Sequence, residues 1–146
     1  RIRFIKDKGG AVFARQDGLR PVIKQLRQSK KAFYYLPDQD FGERDSLFVP
    51  FFAFPTCATV SVLPKLVQLT DAVVVPAAVY RVNNYYEMEF FPAWDNYPSA
   101  NLENDVIRMN KFVESVVMKH IAQYFWLHKR FKTQPQQERG ILYKDC

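Results

Sequence analysis

A chain of 146 residues is long enough for one domain with a real core and too short for two comfortable ones. Hydrophobic residues make up 48% and aromatics 16%, which excludes a disordered segment. The net charge of +6 favours anionic partners, whether nucleic acid, a membrane surface or a phosphorylated substrate, alongside ordinary basic solubility.

In chain order, residues 1–8 form a short basic segment and Gly9-Gly10 a turn. Residues 11–14 read as a brief strand ending at Arg15, and Asp17 is placed to cap a helix over residues 19–29, with Pro21 in its first turn. Val22, Ile23 and Leu26 make its apolar face. Residues 32–36 return as a strand that stops at Pro37, which lacks the N–H a ladder needs. Strand, helix and strand in that order argue for a right-handed crossover and parallel pairing. Asp38 and Asp40 follow in a turn closed by Gly42, and residues 47–52 form a second apolar block with three phenylalanines. Acids at a strand end beside an aromatic shelf mark the place where open α/β sheets hold ligands, and equally fit a polar turn between two core segments.

Residues 51–55 form an aromatic corner, and Val60, Leu63, Leu66 and Val67 share one face of a helix over about 59–69. The continuous β-branched run 72–80 carries the signature of a strand covered on both faces. Asn83-Asn84 turns the chain, and residues 85–91 return as an antiparallel partner. After a loop at 92–99, Ser99 or Asn101 caps a long helix ending near Lys119, with Glu103 and Asp105 early and Lys119 late, as the helix dipole prefers. An aromatic cluster at 124–127, a basic segment at 128–132 and a polar tail complete the chain.

Cys57 in an apolar run and Cys146 at the end make no disulfide framework, and a reducing compartment fits. The longest apolar runs, 47–62 and 69–80, are interrupted by Pro50, Pro55, Asp71 and Pro76. His120 and His128 have no acid at a spacing that would orient them within one element, and no zinc or cofactor motif is present. Arg1, Arg3, Arg15 and Arg81 sit at or near predicted strand ends, where guanidinium groups bind phosphate bidentately; simple solvation is the competing reading of each. The aromatics are clustered in apolar blocks rather than on an alternating exposed face, which argues against nucleic acid.

The ordered set Tyr35-Leu36-Pro37-Asp38-Gln39-Asp40-Phe41-Gly42, Phe48-Val49-Pro50-Phe51-Phe52 and Tyr124-Phe125-Trp126-Leu127-His128-Lys129-Arg130-Phe131-Lys132-Thr133 resembles the bacterial lipid A biosynthesis acyltransferases, the late lauroyl/myristoyl-type enzymes related to glycerolipid acyltransferases. The resemblance covers essentially the whole chain. It implies an α/β fold with a mixed, mostly parallel sheet flanked by helices, of which residues 1–146 are a single segment from the C-terminal part of the domain. It implies acyl carrier protein as donor, a lipid A precursor as acceptor, the cytoplasmic face of the inner membrane as location, no cofactor and no nucleic acid. The family's catalysis is expected to use a histidine with an acid five positions on; here those positions hold Phe125 and Thr133, so the pair is expected upstream and this chain alone is expected to be inactive.

The resemblance further implies that Arg1, Arg3 and Arg15 serve acceptor phosphate or sugar groups, with Arg81, Asp38, Gln39 and Asp40 as further substrate-binding residues. Asp38 and Asp40 stand where related acyltransferases carry a proline-glutamate-glycine motif, and salt bridges to the arginines are an equal alternative for them. Phe48, Phe51, Phe52, Phe54 and Trp126 are expected along the acyl chain or at the membrane surface, with core packing the commoner fate of such phenylalanines. Arg130 and Lys132 suit anionic headgroups or the acidic carrier protein. Ala53 stands where glycine is common, and His120-Ile121-Ala122 replaces a usual proline-glutamate pair.

Overall fold

The structure, a computed structural model, describes the backbone of residues 2–29 and 31–135, and their side chains except those of residues 2–4 and 15. The chain forms two compact units, Arg1–Tyr34 and Tyr35–Cys146. In the first, α1 (Ile2–Asp7) ends in a turn where Gly9 and Gly10 donate to the carbonyls of Lys6 and Ile5. A Cβ on Gly10 would stand 2.9 Å from the Ile5 carbonyl oxygen, so the chain can fold back this closely only at a glycine. A 3₁₀ turn (Arg15–Asp17) leads to α2 (Arg20–Gln28), with Pro21 in its first turn and Val22 buried.

Three expectations fail in this region. Residues 11–14 and 32–36 form no strand, so the strand–helix–strand crossover is absent. Asp17 does not cap α2; the N-cap is Leu19, without a side-chain bond, and the Asp17 carboxylate instead accepts the Ala14 N–H at 2.8 Å.

The second unit is built from two antiparallel hairpins and two helices. Strands β1 (Ser46–Phe51) and β2 (Phe54–Val60) pair closely, and α3 (Val62–Thr70) follows. The expected helix over 59–69 therefore starts later, because residues 54–60 are taken by β2. The register slips between Val49 and Phe51: Val49 faces Cys57 and Phe51 faces Phe54, which leaves Pro50 opposite Pro55 and Thr56. Two residues without an N–H thus meet where the ladder is interrupted, the one place in a hairpin that tolerates them. Asp71 ends α3 in the left-handed region, its N–H bonded to the Val67 carbonyl.

Strands β3 (Ala77–Val82) and β4 (Tyr85–Phe90) form the second hairpin, which realises the expected antiparallel return. The chain is extended before it: the Pro76 and Val74 carbonyls accept the N–H groups of Phe91 and Trp94. Both sheets have two strands, so the described residues are mixed α/β without the expected parallel pairing.

Helix α4 (Leu102–Lys119) matches its sequence signals, with the Asn101 side chain accepting the Asn104 N–H at 3.0 Å. The apolar stripe of α4 meets β1, and Val49, Val106 and Met109 form the buried centre, flanked by Tyr35, Leu47, Leu63, Trp94 and Ile107. At the start of α4 the buried Asp105 carboxylate accepts the Ser99 N–H with both oxygens, and Arg108 lies over the Trp94 ring and donates to the Asp95 carbonyl. These contacts pin the loop before the helix. Replacing Asn101 by Ala should cost about 1 kcal/mol of unfolding free energy in urea titration, and Asn101→Asp should retain most of it; equal losses for both would contradict the cap.

Candidate functional site

The irregular segment after α4 builds the most polar part of the interior. It leaves a short 3₁₀ turn (Ile121–Gln123) and runs through successive tight turns, including Arg130 N–H to the His128 carbonyl. Arg130 is only 1% exposed. Its Nη1 donates to the Cys57 Sγ at 2.9 Å and to the Ala58 carbonyl at 2.6 Å, and its Nη2 donates to the Thr59 Oγ1 at 2.9 Å. The guanidinium lies over the Phe51 ring, 4.8 Å from its centre. Thr59 is bonded in turn to Asn110, whose Nδ2 also donates to the Pro50 carbonyl across the interrupted part of the ladder.

Asp40 closes the other side. It is 3% exposed, its Oδ1 accepting the Gly42 N–H and the Thr133 hydroxyl, its Oδ2 the Thr133 N–H at 2.9 Å. Its own N–H donates to the His128 Nε2 at 3.2 Å. A turn adjoining β1 and the segment 128–133 are therefore tied by three bonds across some ninety residues of sequence. Cys57 reports the combined field: burial first pushes its thiol up to about 11, Arg130 opposes that, and Asp40 adds to it.

Of the expected site residues, Asp38, Asp40, Phe51, Phe52, Phe54, Trp126 and Arg130 belong to this region. Asp38 is half-buried beside Tyr124, whose hydroxyl is driven up by burial first and by the Asp38 carboxylate second; the contact is electrostatic, without the geometry of a hydrogen bond. Gln39 is exposed. Phe51 is buried, and Phe51 and Phe54 pack on the Phe131 ring at 5.9 and 5.5 Å. Phe52 packs on Trp126 at 6.2 Å, and Phe48 is half-buried on β1. Arg130 faces inward rather than toward the anionic surface expected for it, its buried guanidinium donating to Cys57, Ala58 and Thr59, whereas Lys132 is exposed. Arg81 lies elsewhere, bonded to Asn83 and Gln123 beside a shallow hollow of about 500 Å³. Arg1 and the side chains of Arg3 and Arg15 lie outside the described residues.

Sequence reasoning overlooked Thr133, Thr59 and Glu114, whose Oε1 accepts the Phe52 N–H at the tip of the first hairpin. Phe52 has φ of 53° there, a left-handed conformation that a side chain resists. A signal was available: Asn110 and Glu114 are four apart on a helix whose neighbouring positions are apolar, and a polar residue on such a stripe needs an interior partner. The two histidines have separate partners: His128 Nε2 accepts the Asp40 N–H, and His120 packs its ring 4.4 Å from that of Tyr80. Among the described residues no three metal-ligating side chains cluster, and no helix is long and apolar enough to cross a membrane.

Set beside known proteins by sequence, this mixed α/β chain falls among the acyltransferases. The family described as bacterial lipid A biosynthesis acyltransferase matches residues 3–133, and the chain belongs to that family. A lipid A biosynthesis acyltransferase of Haemophilus influenzae is 36% identical over 98% of this chain and 45% of its own length. The palmitoleoyltransferase and lauroyltransferase of lipid A biosynthesis in Escherichia coli K12 are 33% and 36% identical over 86% and 81% of this chain. The chain spans 41% and 39% of those two relatives.

The raised Cys57 thiol makes stability fall with pH. The folded state keeps the proton to about 11, whereas the free thiol releases it near 9.0, so the stabilisation present below 9.0 is lost as pH rises toward 11. Urea midpoints of the wild type should therefore decline between pH 9 and 10 more steeply than those of Cys57→Ser. Parallel curves would show that the thiol is not held in this field.

Proposed function

We propose that the protein transfers a fatty acyl chain from acyl carrier protein to a hydroxyl of a lipid A precursor, at the cytoplasmic face of the inner membrane. The observation that carries this reading is the family match over residues 3–133, with lauroyl- and palmitoleoyltransferases among the relatives. A histidine–acid pair outside this chain takes the acceptor proton; the oxygen attacks the thioester carbonyl, an ester forms, the C–S bond breaks and the carrier thiol leaves. In this reading the two histidines of this chain, His128 accepting the Asp40 N–H and His120 packed on Tyr80, take no part in the proton transfer.

In this reading residues 35–135 hold the acceptor and the acyl path rather than react. Asp38 and Gln39 meet the phosphorylated sugar, and Lys132 meets headgroups or the carrier protein. Phe125, Trp126 and Leu127 are exposed consecutively at the turn after α4, Leu127 at 86%. A run of that kind, with Lys129 and Lys132 beside it, suits insertion at a lipid surface. Both compact units are taken as parts of one acyltransferase domain.

A second reading, a basic module that binds anionic lipid without catalysis, has one observation in its favour. Arg20, Lys24 and Arg27 line a shallow hollow of about 300 Å³ on α2 together with Ile23. Acyl transfer separates the two: the intact gene product should acylate a lipid A precursor from acyl carrier protein, and this chain alone should stay at background. Inactivity of both would favour the second reading. Phe125→Asp with Leu127→Asp in the intact protein should weaken flotation with anionic vesicles about tenfold, without a change in urea midpoint; unchanged flotation would remove the turn from the membrane contact.

A further inference from the structure

The hydroxyl of Tyr124 is buried and has no hydrogen-bond partner among the described residues. A phenolic O–H so placed has given up its bonds to water and gained none in return, which native interiors rarely tolerate. The ring itself is held. It meets the Trp126 ring edge-on, with centres 4.8 Å apart and planes at 81°. The Trp126 indole N–H donates in turn to the Ile121 carbonyl at 2.8 Å, and Phe52 packs on Trp126 from the first hairpin. A fixed ring that carries an unsatisfied hydroxyl calls for a partner that arrives later.

Asp38 stands beside that hydroxyl, half-buried. Burial first, and the Asp38 carboxylate second, drive the phenol up, so Tyr124 keeps its proton and faces the carboxylate as a donor. The corner is fixed from both sides. Asp40, two residues on from Asp38, is bonded to Gly42, His128 and Thr133, and Tyr124 is fixed through Trp126. The fold thus holds hydroxyl and carboxylate together without the geometry of a hydrogen bond. A carboxylate has about four acceptor positions on its two oxygens, so Asp38 can take the Tyr124 proton and still receive a second donor.

Charge decides what that second donor is. A carboxylate repels phosphate and accepts from hydroxyls, so the group Asp38 takes from a phosphorylated sugar is a hydroxyl. We propose that Tyr124 is a positioning residue for the acceptor: its O–H donates to one oxygen of Asp38 and aims the other oxygen at a hydroxyl of the acceptor sugar. This role rests on the acyl-transfer reading, in which Asp38 meets that sugar, and adds to it the residue that orients Asp38 and the kind of group Asp38 takes. In the free protein the pair waits out of bonding geometry; the acceptor hydroxyl draws the carboxylate inward, and both bonds close together. Tyr124→Phe keeps the ring contact with Trp126 and removes only a hydroxyl that is unpaired without the acceptor. Function and stability therefore separate at this position.

The test uses the intact gene product, with acyl carrier protein as donor and a lipid A precursor as acceptor. Tyr124→Phe should raise KM for the acceptor about tenfold, the loss expected for one charge-assisted hydrogen bond, and leave KM for the carrier unchanged. Its urea midpoint should equal or exceed that of the wild type. Asp38→Ala should raise acceptor KM at least as much, and the double variant should be no worse than Asp38→Ala alone, since Tyr124 acts through Asp38. The Tyr124→Phe arm stands by itself if Asp38→Ala misfolds. An unchanged acceptor KM in Tyr124→Phe, or additive losses in the double variant, would overturn the proposal and leave acyl transfer standing. A lower urea midpoint with equal rises in both KM values would mark a structural role and overturn it as well. No transfer by the wild type would overturn the acyl-transfer reading, and this role with it.

Discussion

A buried arginine organises the larger unit. Removing a guanidinium from water costs several kcal/mol unless its protons find acceptors. Nη1 and Nη2 of Arg130 find them on β2, at Cys57, Ala58 and Thr59, while the buried Nε has no partner among the described residues. That requirement reaches outward. Thr59 is held by Asn110 of α4, Asn110 spans the gap that Pro50 leaves in the ladder, and Thr133 brings the segment back to Asp40. A stretch that forms tight turns rather than regular secondary structure, and would otherwise move, is therefore fixed against a hairpin more than seventy residues earlier in the chain.

The same arrangement shows what this part of the protein contributes. Two charged residues expected at ligands, Asp40 at substrate and Arg130 at headgroups or the carrier protein, are instead buried and hold the frame. The aromatic residues divide likewise. Phe51, Phe54 and Phe131 interlock inside, while Phe125, Trp126 and Leu127 are presented outward at the turn that Arg130 and Asp40 anchor. Interior polar bonds thereby set the position of an exterior apolar tip, which ties stability to any lipid contact the tip makes.

The reach of the sequence differs from element to element. Helix α4 was legible nearly to the residue because periodicity, an asparagine cap and charge placement agree. The β3–β4 return was legible from Asn83-Asn84 between apolar runs. The first hairpin was hidden by Pro50 and Pro55, which read as breakers although they lie opposite one another at a bulge. Residues 11–14 and 32–36 have strand-like composition, but a strand exists only with a partner, and pairing is not a local property. The family was readable because ordered motifs along the chain carry it. The inward role of Arg130 was not, since burial of a charge depends on acceptors contributed by β2, and nothing in the local run His128-Lys129-Arg130-Phe131-Lys132 distinguishes it from its exposed neighbours.

The most direct measurement is the unfolding free energy of Arg130→Lys, which keeps the charge and loses the planar fork that reaches three acceptors at once. The account predicts a loss of at least about 2 kcal/mol, with the Thr133 amide losing its protection from exchange. A value within about 0.5 kcal/mol of the wild type, with Thr133 still protected, would mean that the segment is held by something other than this arginine.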